Sequence, residues 1–138
     1  MITEEILINK CKQFAEKANV LEEKAFNDVM YRENGFNTDF NQLFETYCYG
    51  KQNRTISGLN FRKPARYSSI KNATKEHIVQ LSKTRYQVTF VTEPKFKSIR
   101  FIIDKRLNDW RLTRFETFLG ISNHSKNLGE ELWRKHKL

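Results

Sequence analysis

Few residue types in this chain are spaced for catalysis. His77, His124 and His136 stand far apart and match no metal-ligand spacing with Cys11 or Cys48. No glycine-rich phosphate loop, GxSxG, HExxH or EF-hand pattern occurs. A nucleophile pair of Cys48 and His77 could assemble only through folding, and Cys48 falls near the C-terminal end of a predicted helix, where the dipole disfavours a thiolate. Carboxylates are sparse in the second half, and Asp104 and Asp109 there suit a turn. Glu116, between Phe115 and Phe118, is the one acid placed for an apolar pocket, as a buried general base requires. The reading is a protein without catalysis, cofactor or metal.

What the chain does supply is cation. Net charge is +9 over 138 residues, and residues 51–138 hold 20 Lys and Arg against 7 Asp and Glu. Residues 1–50 reverse the balance, with 5 against 9. An acidic front and a basic back attract an anionic partner to the back: nucleic acid, a membrane surface or an acidic protein. Two groups of cations stand out. Arg62, Lys63 and Arg66 flank Pro64 beside Phe61 and Tyr67, and basic residues interleaved with aromatics can hold phosphates and stack bases. A loop rim leading into an edge strand explains the same residues more simply. Arg85, Arg100 and Arg111 recur in three β-rich runs and are expected on one sheet face.

Those runs lie between Thr84 and Phe118. Tyr86, Val88 and Phe90 alternate with polar residues; Ile99, Phe101 and Ile103 do the same; Trp110 and Leu112 begin a third run. Breaks at Pro94 and at Asn108-Asp109 make an antiparallel meander with one apolar face. Phe115 falls on the opposite parity from Leu112, which predicts a bulge. The run Glu76 to Lys83 is read as a further strand pairing into the meander.

Ahead of the strands, Leu7, Cys11, Phe14, Ala18, Leu21, Ala25 and Val29 step by three or four and predict one helix from Thr3, its N-cap, to about Arg32. Asn34-Gly35 ends it. A second helix is expected from Thr38, presenting Phe40, Leu43, Phe44 and Tyr47 before Gly50. Both should cover the sheet. The last segment, NLGEELWRKHKL, reads as a short amphipathic C-terminal helix that docks Leu128, Leu132 and Trp133. The class is α+β in a single domain over 1–138, with no apolar run long enough to span a membrane. Cys11 and Cys48 sit in apolar stripes and read as reduced core residues, as expected of a cytoplasmic protein.

The order of these elements resembles the nuclear transport factor 2-like cone fold, and within it the bacterial immunity proteins encoded beside polymorphic toxins. The resemblance rests on Ala65 to Ile70, Thr74 to Ile78, Arg85 to Val91, Ile99 to Ile103, and Asp109 to Leu112. It implies a protein that binds and neutralises one cognate toxin domain, with no catalytic residues to carry over. The basic charge then favours a toxin with an acidic patch, met by Arg62, Lys63, Arg66, Arg85, Arg100 and Arg111. The extra C-terminal helix is a departure from the minimal cone. A basic nucleic-acid-binding module and a small-molecule-binding cone are the other two readings, and a homodimer through the open sheet face stays open.

Overall fold

A computed structural model describes residues 2–50 and 65–138. Helix α1 (Glu4–Asn27) starts where expected: the Thr3 hydroxyl accepts the Ile6 N–H, and Glu4 and Glu5 sit at the positive end of the dipole. It stops earlier than the stripe predicts. Asp28 takes an extended conformation and its carboxylate accepts the Tyr31 N–H, starting a separate helix, α2 (Val29–Asn34). Arg32 folds back and donates to the carbonyls of Ala25 and Phe26, so a cation closes the C-terminal end of α1. Local capping therefore overrides periodicity, and Val29 is 55% exposed rather than core.

Helix α3 (Phe36–Tyr47) begins directly after Gly35, two residues before the predicted Thr38 cap, and ends before Gly50. Gly35 is required by close approach: a Cβ there would stand 2.8 Å from the Tyr31 ring. The Tyr31 hydroxyl in turn donates to Asp39 on α3 at 2.7 Å, which fixes the bend between α2 and α3.

Five strands follow: β1 (Ala73–Ser82), β2 (Arg85–Thr92), β3 (Ile99–Arg106), β4 (Asp109–Ile121) and β5 (Glu131–His136). They form one sheet in chain order, each strand antiparallel to the next. The fold is α+β, with the N-terminal helices packed on a curved antiparallel sheet. The predicted bulge is present: Ile103 pairs with Leu112 and Ile102 with Arg114, leaving Thr113 as the extra residue. Phe115 is thereby returned to the face of Trp110 and Leu112.

The predicted C-terminal helix is instead the strand β5. Its residues are decided by pairing with β4, where Phe118 faces Trp133 with ring centroids 5.3 Å apart and Phe115 stacks on His136 at 4.7 Å. A helix would forfeit both ring pairs and leave the β4 edge open.

One sheet face meets the helices. Leu7, Cys11, Phe14, Ala15 and Ala18 of α1, with Phe36, Phe40, Leu43 and Phe44 of α3, share a core with Val88, Phe90, Ile99, Phe101, Ile103, Trp110, Leu112 and Phe115. Tyr67 is driven into its centre, 5.0 Å from Phe115, 5.5 Å from Phe14 and 5.6 Å from Phe101. Asn19 and Glu22 of α1 hold it there by accepting the backbone N–H groups of Tyr67 at 3.0 Å and Arg66 at 2.7 Å. Aromatic rings thus fill the space between α1 and the sheet.

Replacing the central ring, Tyr67→Ala, should cost about 3–5 kcal/mol, as other large buried aromatics do, and lower the urea midpoint accordingly. A pH effect is expected at β5. Desolvation lowers the His136 pKa below its ordinary 6.5, helped by the charges of Arg134 and Arg66. The stability contributed by the neutral ring is complete above 6.5 and is lost as pH falls through the depressed folded-state value. Urea titrations of the wild type should therefore weaken over that window, and His136→Phe should remove that part of the pH dependence.

Candidate functional site

The other face of the sheet carries no helix among the described elements, and cross-strand register decides what it presents. Arg85 lies opposite Asp104, Thr89 opposite Arg100, Arg100 opposite Glu116, and Glu116 opposite Lys135. Arg85, Arg100 and Arg111 do occupy register positions on this face. None of the three is a free cation.

Arg85 Nε donates to Asp104 at 2.7 Å and Nη2 to the second carboxylate oxygen at 3.2 Å. Thr113, the bulged residue, donates its hydroxyl to the same carboxylate at 2.7 Å. Burial pushes the Asp104 carboxyl up, but the hydrogen bonds from Arg85 and Thr113 and the charges of Arg85 and Arg106 outweigh it and hold the pKa below 3.8. Arg111 binds Asp109 at 2.6 Å and also donates to the Glu45 carbonyl at the end of α3, so it ties helix to sheet.

Glu116 is the centre of a third group. Its side chain is only 2% exposed, yet Arg100 reaches it at 2.6 Å and Arg114 at 2.9 Å. Two guanidiniums around one carboxylate leave the triad with a net positive charge. The Arg100 guanidinium also lies 4.2 Å from the Trp133 ring centroid, so an ion pair and a cation–π contact fix it together. With its oxygens engaged by arginines, Glu116 is a structural counter-ion and does not sit in the apolar pocket that a general base needs.

Beside the triad is a polar cleft of about 420 Å³, walled by Lys75, His77, Thr89, Lys95, Arg100 and Trp133. Lys95 bridges it to Glu131. Lys75 and Lys135 make no ion pair among the described residues, so they and the triad's surplus guanidinium carry the positive charge of this face.

The remaining expectations fall in different places. Arg62 and Lys63 lie outside the described residues. Arg66 stands apart from the open face, on the helix side, with its guanidinium 5.5 Å from the Phe115 ring centroid. Tyr67 is wholly buried and cannot stack a base. Cys48 and His77 are separated by the sheet: Cys48 belongs to the core and bridges to Leu112, whereas His77 lines the cleft. Both cysteines are unbridged, and burial pushes both thiols up. Lys75 escaped sequence reasoning, and Trp133, expected to dock from a C-terminal helix, instead lies on β5 at this cleft against Arg100. No group of three or more His, Cys, Asp and Glu among the described residues could hold a metal, and no described helix is long and apolar enough to cross a membrane.

Glu116→Gln should leave two guanidiniums facing a neutral amide. Because both keep some contact with water, the expected loss is about 2 kcal/mol, below the ~3–5 kcal/mol of breaking a fully buried pair. Chemical denaturation of the variant reads this directly, and Arg114→Gln, which leaves the Arg100 pair intact, should cost less. Compared with known proteins, the chain matches no protein family, no curated protein and no solved structure.

Proposed function

We propose that this chain is a non-catalytic immunity-type protein that neutralises a bacterial toxin domain by binding it through the sheet face that no described helix covers. The observation that carries the reading is the fixed Arg100–Glu116–Arg114 triad against Trp133, beside a cleft edged by Lys75. Side chains already held in place lose little entropy on association, and Arg and Trp are the residue types that most often anchor protein interfaces. The likeness of Ile99 to Ile103 and Asp109 to Leu112 to immunity proteins adds the class of partner.

Self-pairing changes which cations meet that partner. Arg85 and Arg111 are engaged within the chain, so an acidic patch on the toxin would be met by Lys75, Lys135 and the surplus charge of the triad. The two other readings find less support. Base stacking loses Tyr67 to the core, and a ligand in a cone loses its volume to Phe14, Tyr67, Phe101 and Phe115.

Co-expression with the product of the adjacent upstream gene tests the proposal. The expected result is a stable complex and rescue of growth, and Lys75→Glu with Lys135→Glu should weaken the complex about tenfold while leaving circular dichroism unchanged. Neither complex nor protection would sink it, and tight, salt-sensitive binding to RNA or DNA in its place would favour a nucleic-acid module.

A further inference from the structure

A second hollow lies at the end of the sheet where β3 begins, and its chemistry differs from that of the polar cleft. Two short 3-10 turns, Ser68–Asn72 and Lys95–Lys97, border a pocket of about 620 Å³. That volume is typical of small-molecule sites. Phe14, Tyr67, Phe101 and Phe115 take no part in its walls, so it lies beyond the ring-filled core. It shares only Ser98 with the polar cleft.

Charge singles this pocket out. Arg66, Lys71 and Lys97 line it and, among the described residues, no carboxylate does, whereas Glu93 and Glu131 wall the polar cleft. Arg66 and Lys97 make no ion pair among the described residues. Glu22 accepts the Arg66 backbone N–H, and the Arg66 guanidinium rests 5.5 Å from the Phe115 ring centroid, which orients the cation without neutralising it. Lys71 meets Glu23 at 3.2 Å, but the two side chains are 58% and 42% exposed. Such a pair is worth little, so Lys71 can turn to a stronger anion. The Ser68 and Ser69 hydroxyls make no hydrogen bond among the described residues, which adds two donors to the wall. At the rim, Phe96 is 64% exposed, with Lys97 Nζ 6.0 Å from its ring centroid. An aromatic ring left in water beside converging cations can stack a flat ring while the cations hold its phosphate.

We infer that this pocket binds a phosphate monoester carrying a flat ring, of mononucleotide size, with the phosphate among Arg66, Lys71 and Lys97 and the ring on Phe96. Charge balance favours a phosphate monoester over a carboxylate: the three cations, offset in part by Glu23, match the roughly two negative charges of a monoester at pH 7. Its three terminal oxygens can also accept from guanidinium, ammonium and hydroxyl donors together. Inorganic phosphate alone would leave most of the volume and the Phe96 ring unused. This inference does not depend on the toxin reading, because the purified chain alone tests it.

Titration of the isotope-labelled chain with AMP and with UMP, followed by amide chemical shifts, reads the site directly. Both should move the amides of Ser68, Ser69, Lys71 and Lys97, because stacking on an aromatic ring tolerates any base. Adenosine, which lacks the phosphate, and inorganic phosphate, which lacks the ring, should each bind about tenfold more weakly than AMP. Lys97→Gln and Phe96→Ala, both at exposed positions, should each weaken AMP binding about tenfold with the thermal midpoint unchanged. Lys75→Glu with Lys135→Glu should leave AMP binding as it is in the wild type, which separates this pocket from the toxin-facing surface. Absence of shifts at millimolar nucleotide, shifts confined to other surfaces, or either fragment binding as tightly as AMP overturns the inference. A single-stranded oligonucleotide that moves the same amides and binds far more tightly than AMP, with a steep salt dependence, overturns it in favour of an extended nucleic-acid surface.

Discussion

Two buried side chains on one turn of α1 set the relation between helices and sheet. Asn19 and Glu22 accept the consecutive N–H groups of Tyr67 and Arg66. Both side chains are buried, and a buried polar group without a partner is costly, so helix and incoming chain are held at one mutual position. The consequence is the placement of Tyr67, whose ring touches α1, β3 and β4 at once. Without those two acceptors, the approach to β1 would lose its anchor and the core its central ring.

The two sheet faces use different physics. Against the helices, stability comes from large aromatic area and edge-to-face ring contacts. On the open side no described helix supplies an apolar cover, and charge-assisted hydrogen bonds run between neighbouring strands. Asp104 and Glu116 each serve strands on either side of a pairing, so the ion pairs also pin register. A one-residue slip would carry Arg100 from Glu116 into the core side, at a high desolvation cost.

Much of the sheet was legible in sequence because a half-buried strand writes its environment in period two. Tyr86, Val88 and Phe90 declare a face, and the parity of Phe115 declares a bulge. The failures have physical causes. The helix stripe runs through Val29, but the carboxylate of Asp28 reaches Tyr31 N–H and starts a new helix, a contact only three residues long that periodicity does not register. The segment of β5 is short and charged, and its state is set by Phe115 and Phe118 on a strand more than ten residues away in sequence. Arg85, Arg100 and Arg111 could be placed on one face from sequence, whereas their pairing with carboxylates could not, because it depends on register between strands.

The meander has a kinetic side. Every strand pairs with its neighbour in the chain, so each hairpin closes a short loop at small entropic cost. The distant contacts are concentrated in the helices: Lys10 reaches the Trp110 carbonyl across 100 positions, and Arg111 reaches the Glu45 carbonyl across 66. Pairing within the sheet is thus local in sequence, and the costly long-range closure falls on α1 and α3.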